Sequence, residues 1–230
     1  MHQHRRRAGG GVGRKPALQA AAVGLILSLA AVAGFVALVA MTQPEPEPAS
    51  EPEPVIVYDT PAPAEPPLYY QADERWGGLP YATADSCIAE SGCGLCCAAM
   101  AASYLTGDDI TPPVLLNLVG NRCIDGGVNH MGRFCEELQA LYGIEYRDLW
   151  TLEDAESHLR DGWMLFAGME GAVYEGGKEY GGHVLLIWKC DEEGVYIRDP
   201  DDPTLQAPIS WERFRAIEWG SYFYAIREGN

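Results

Sequence analysis

The sequence predicts an α+β fold, with helices packed on an antiparallel sheet, and three observations predict it. Four stretches between residues 92 and 162 carry helix start and stop signals. Four later stretches carry the β-branched and aromatic content of strands. The two kinds segregate along the chain instead of alternating, and no internal repeat is present. The 230 residues, 47% of them hydrophobic, suffice for one domain of ordinary size plus accessory segments.

Gly92 to Leu105 (GCGLCCAAMAASYL) reads as a buried helix stopped by Gly107, its small side chains permitting close packing. Thr111 followed by Pro112 reads as the N-cap and first position of a second, short helix. Asn129 to Tyr142, closed by Gly143, gives a third. Thr151 with Asp154 forms a capping-box-like start to a fourth, which ends at Gly162. Strands are expected over 163–169, 183–188, 195–199 and 222–227, with the cluster from Asp191 to Gly194 making a turn.

The segments before this domain, 68–230, have a different character. Residues 17–41 hold no charge and exceed the roughly 20 apolar residues that span a bilayer. Five basic residues precede them (Arg5, Arg6, Arg7, Arg14, Lys15), so residues 1–16 are expected in the cytoplasm and everything after 41 outside. Ala31-Val32-Ala33 would suit a signal-peptide cleavage site, but the apolar run is longer than the usual h-region of about 7–15 residues, which favours an uncleaved, single-pass anchor in the cell membrane. Residues 42–67, rich in Pro and Glu, form an extended, self-repelling spacer. The net charge of −17 disfavours nucleic acid as a partner of the folded part. Seven cysteines in an exported domain suggest disulfides, and the odd count leaves at least one thiol unpaired.

Cys93 sits where a polar loop meets the Ala-rich helix. Unpaired N–H groups and the macrodipole favour an anion there, which makes this thiol the candidate nucleophile. Gly92 and Gly94 leave room for a substrate backbone, and the Cys93 N–H is a candidate oxyanion donor. Three of the five histidines lie beyond the apolar segment. His158 falls on a charged helix and reads as a surface residue, and His130 stands in a glycine-rich loop as a cap or binding residue. His183 heads an apolar strand behind two glycines and is the candidate base. Asp199 ends the next strand. A hairpin folded about Asp191 would set His183 opposite Asp199, Leu185 opposite Ile197 and Ile187 opposite Val195, close enough for the carboxylate to fix the imidazole tautomer.

The runs YYQADERWG, SGCGLCCAAM, GGHVLLI and VYIRDP, in this order, resemble the cysteine peptidase superfamily typified by bacteriocin-processing double-glycine peptidases, its stand-alone branch in particular, over about residues 69–227. The resemblance implies a papain-like fold with Cys93 as nucleophile, His183 as base, Asp199 as orienting acid and Gln71 as a side-chain oxyanion donor. Papain-like enzymes usually carry that glutamine a few residues before the cysteine, where this chain has Cys87. Leader peptidases of the superfamily work in the cytoplasm beside a transporter, whereas this domain is expected outside, so the substrate class does not transfer.

Three other readings compete. Cys93 and Cys96 form a C-x-x-C pair, as in thiol-disulfide oxidoreductases, but no apolar strand precedes it. Cys96, Cys97, Cys123, Cys135, Cys190 and His130 offer zinc ligands without the paired spacing of structural sites. A catalytically inactive surface binding module would keep the fold alone. The expectation is an extracytoplasmic cysteine peptidase acting on peptides or cell-wall peptides, with neither metal nor organic cofactor. Cys96 and Cys97 lie near Cys93 on the helix; they are either two small buried hydrophobes, or Cys96 forms a disulfide with Cys93 that acts as a redox gate.

Overall fold

A computed structural model describes residues 64–205 and 207–229; the expected cytoplasmic tail, membrane segment and most of the Pro/Glu spacer lie outside them. No helix among the described residues is long and apolar enough to cross a membrane. The helices are α1 (Ile88–Ser91), α2 (Cys93–Thr106), α3 (Pro112–Val119), α4 (Met131–Tyr142), α5 (Leu152–Arg160) and α6 (Trp211–Ala216). The strands are β1 (Ile124–Asp125), β2 (Val128–Asn129), β3 (Glu145–Leu149), β4 (Met164–Ala172), β5 (Glu179–Cys190), β6 (Val195–Arg198) and β7 (Glu218–Arg227). A five-stranded sheet runs in the order β3-β7-β4-β5-β6, every neighbour pair antiparallel. This is the expected α+β arrangement, with one addition: helices cover both faces of the sheet.

Alternation along the strands divides the core. Met164, Phe166, Leu186, Trp188 and Ile226 join the cluster containing α2, α3 and α4. Leu165, Ala167, Leu185, Ile187, Phe223 and Ala225 join the other cluster, with Leu159 of α5 and Phe214 of α6. Helix α2 is buried from Gly94 through Ser103, which its Ala, Gly and Cys content allows because small side chains let the sheet and neighbouring helices approach.

Helix ends follow the local signals. Gly107 and Gly143 take the left-handed conformation (φ 76° and 71°) that closes α2 and α4. The Thr151 hydroxyl accepts the Asp154 N–H at 3.0 Å and starts α5. Helix α4 begins two residues later than expected because the His130 ring caps it, accepting the Arg133 N–H. The sequence reading omits β3, whose polar run EYRDL suits a sheet edge; α1 and α6, each under two turns; and the β1–β2 hairpin. That hairpin turns through Gly126 and Gly127 at φ 56° and 85°, a conformation that favours glycine at both positions. Glu65 and Pro66 already engage Arg198, so packing starts slightly before Leu68.

Two expectations are corrected. The β5–β6 register is displaced by two residues: Ile187 faces Ile197, not Val195, and Leu186 faces Arg198. The turn spans Asp191 to Gly194, with the Asp191 N–H bonded to the Gly194 carbonyl, and a bulge between Ile187 and Lys189 alters the count. The disulfide expectation is not met, since all seven cysteines are free. Cys96, Cys97, Cys123 and Cys135 are fully buried as small core residues, and burial raises the pKa of each.

Candidate active site

The amino end of α2 emerges from the core into a cleft of about 360 Å³, lined by Cys93, His183, Asn129 and Tyr222 among others. The first hydrogen bond of α2 runs from the Cys96 N–H to the Gly92 carbonyl. The N–H groups of Cys93, Gly94 and Leu95 therefore precede the ladder, and the partial positive charge of the helix start falls beside the Cys93 sulfur.

His183 enters from β5, where pairing with β6 has not yet begun. Past Arg198 the chain leaves the sheet, and the Asp199 carboxylate fills the place beside the ring. His183 Nε2 lies 2.7 Å from Asp199 Oδ1, both side chains buried. The two-residue displacement of register preserves this meeting because strand side chains repeat every second residue, making His183 and Asp199 diagonal instead of direct neighbours on one face.

Asp199 is held on every side. Its Oδ1 also accepts the Asp201 N–H at 2.8 Å, and its Oδ2 accepts the Tyr180 hydroxyl at 3.0 Å. The Tyr180 ring stacks on the His183 imidazole at 4.0 Å with an interplanar angle of 11°. Burial, and then the adjacent Asp199 charge, raise the Tyr180 pKa, so this hydroxyl stays a donor.

Burial alone would depress the His183 pKa. The hydrogen bond to Asp199 and the neighbouring Cys93 thiol outweigh it and lift the value to about 9. Since Nε2 faces Asp199, Nδ1 is the ring nitrogen left for the Cys93 thiol. A thiol at a helix start, an imidazole and a carboxylate thus stand in series, an arrangement able to generate a thiolate and to shuttle one proton.

Gln71 is buried and is not among the residues that line this cleft. Its Nε2 donates to the Ala89 carbonyl at 2.8 Å and its backbone N–H to the Pro200 carbonyl at 2.7 Å, tying the turn after Asp199 to α1. Gln71 Oε1 is buried without a hydrogen-bond partner among the described residues. His158 bonds its own helix through the Asp154 carbonyl and takes no part.

Asn129, which the sequence reading placed in a helix, is the residue it missed. From β2 its Nδ2 donates to the Ser91 carbonyl at 2.8 Å and reaches Cys93 Sγ at 3.6 Å, while Oδ1 accepts the Tyr81 hydroxyl at 2.7 Å. The Ser91 carbonyl can only accept, so the amide nitrogen must face it, and the second N–H is directed toward the sulfur. Gly94 is required for this approach: a Cβ there would stand 2.6 Å from Asn129 Cβ. The Gly126-Gly127 turn is the one local signal that could have found the hairpin.

No protein-family model and no curated protein matches the sequence. Among solved structures the chain is similar to a C39-like peptidase from Bacillus anthracis, at 18% identity and a TM-score of 0.44, covering 60% of this chain and 90% of that one. It is also similar to the peptidase domain of Streptococcus ComA, a bifunctional ABC transporter involved in quorum sensing, at 19% identity and a TM-score of 0.42, covering 59% and 90%. The Streptococcus mutans ComA peptidase domain follows at 19% identity and a TM-score of 0.35, covering 50% and 88%.

Proposed function

We propose that this chain is a membrane-anchored, extracytoplasmic cysteine peptidase that cleaves peptide bonds through a thioester on Cys93. The observation that carries the reading is the buried 2.7 Å contact between His183 and Asp199, on the same cleft that Cys93 lines at the start of α2. The apolar run 17–41 behind a basic tail supports the anchor and its orientation.

In this mechanism His183 Nδ1 takes the Cys93 proton, and the thiolate attacks the scissile carbonyl. The tetrahedral oxyanion collapses as Nδ1 returns that proton to the leaving amine, giving a thioester. Nδ1 then draws a proton from water, whose oxygen attacks the thioester, and the same proton restores the thiol as the acid leaves. Asp199 holds Nε2–H throughout, so only one tautomer faces the sulfur. The Cys93 N–H is one oxyanion donor. For the side-chain donor, Asn129 is better placed than Gln71, because its amide already touches the sulfur while that of Gln71 serves Ala89.

The full chain in detergent, treated with iodoacetamide at moderate pH and mapped by mass spectrometry, is expected to be alkylated selectively at Cys93, and less readily in His183→Ala. Indiscriminate labelling, or labelling independent of His183, would end this reading. Protease protection of intact cells tests the orientation, since an extracytoplasmic domain is digested from outside.

A further inference from the structure

A second cavity of about 220 Å³ opens beside the cleft. Asn129, Val184 and Tyr222 line both, so the two spaces adjoin at the side chain that touches Cys93 Sγ. Met131, Phe166, Val184 and the Tyr224 ring supply its apolar walls, Asn129 and Ser221 add polar groups, and none of the described residues that line it is charged. A cavity of about 150 Å³ with apolar walls is enough to take a benzene ring. A charged side chain placed here would lose its water and find no countercharge, whereas an apolar one would leave water at a gain.

Two glycines in strand interiors make this space. A strand gains by filling such positions with β-branched or aromatic residues, and an interior glycine often marks the close approach of another molecule. Gly168 of β4 is not required by packing: a Cβ there would meet only the His183 carbonyl oxygen, at 3.9 Å. Gly220 of β7 is the tighter of the two, its Cβ position lying 3.3 Å from the Gly168 carbonyl oxygen. The residues of β4 that share Gly168's alternation, Met164 and Phe166, face the α2 side of the sheet, so a side chain at 168 would point into this cavity.

We propose that this cavity is a substrate subsite that holds one apolar side chain, of leucine to phenylalanine size, next to the scissile bond. The proposal rests on the peptidase reading and deepens it: the preferred peptides carry a large apolar residue within two positions of the cleaved bond, not a glycine pair.

The test reads the subsite with and without hydrolysis. Alkylation of Cys93 forms a carbon–sulfur bond and expels iodide, so it needs no turnover. The rate ratio of N-(2-phenylethyl)iodoacetamide to iodoacetamide on Cys93, divided by the same ratio on glutathione, is expected to be on the order of 10 or more. It should fall to about one in Gly168→Leu, which fills the space, and take an intermediate value in Gly168→Ala. The smaller variant carries the test if the larger fails to fold. A defined peptide mixture, with cleavage sites mapped by mass spectrometry, should give sites with leucine, methionine or phenylalanine preferred over glycine by roughly 10- to 100-fold. A normalised ratio near one, a preference that survives both Gly168 variants, or cleavage at glycine pairs without an apolar neighbour overturns the subsite. A high ratio lost in the variants, with no peptide cut, upholds the subsite and sinks the hydrolase.

Discussion

Cys93 and Cys96 stand one helical turn apart on α2 and differ in almost everything that governs a thiol. Cys93 lines an open cleft beside His183 and Asn129, at a helix start whose N–H groups precede the hydrogen-bond ladder. Cys96 is fully buried, and its pKa is raised by burial first and by the neighbouring Cys93 second. The same side chain is thus a candidate nucleophile in one place and a small hydrophobe in the other. Where the helix leaves the core decides which.

The largest expected effect tests that contrast directly. Cys93→Ala should cost about 10⁵-fold or more in peptide hydrolysis. Cys96→Ala should leave the rate within about threefold while lowering stability by roughly 1–2 kcal/mol, measured by urea unfolding. Equal loss of activity in both variants would break the comparison and revive a paired-cysteine chemistry.

His183→Ala comes next, at about 10³-fold in kcat/KM. The raised His183 pKa fixes the sign of the pH dependence. The imidazolium that protonates the leaving amine is present below about 9 and is lost as pH rises through that value, so the rate should fall there. Asp199→Asn removes the carboxylate charge that helps lift this pKa. It should shift the falling limb to lower pH and cost about 10²-fold. The same shift makes a stability contribution that is complete below the ordinary value of 6.5 and disappears through about 9, which unfolding midpoints at the two pH extremes would read. An unmoved limb in Asp199→Asn would mean the carboxylate does not act on the ring.

Asn129 and Gln71 give a second pair to set against each other. Asn129→Ala should lower kcat by about 10²-fold with little change in KM, the mark of a donor used in the transition state. Because it also strips the Tyr81 hydroxyl of its acceptor, Tyr81→Phe is the background in which to measure it. Gln71→Ala should act mainly on stability through the Ala89 bond. The reverse ranking would return the oxyanion role to Gln71. The smallest effect belongs to Tyr180→Phe, which keeps the stacked ring and deletes one hydroxyl bond to Asp199. About fivefold in kcat is expected, in line with a bond worth ~1 kcal/mol.

The sequence by itself determined the features written within a few residues of one another. Gly107 and Gly143 close helices because the left-handed turn costs glycine no side-chain clash, and Thr151 opens one because its hydroxyl reaches a donor three residues on. It also determined that Cys93 begins a helix and that His183 and Asp199 share a face, since strand parity survives a displacement of two. Only the tertiary structure decided where the β5–β6 register settles, that Gln71 braces a turn outside the cleft lining, and that Cys96, Cys97, Cys123 and Cys135 fill the core unpaired. It alone brought Asn129 to a sulfur 36 residues away in sequence. Such meetings depend on how a hairpin, a helix and a sheet pack against one another, and no local rule of propensity or capping encodes that packing.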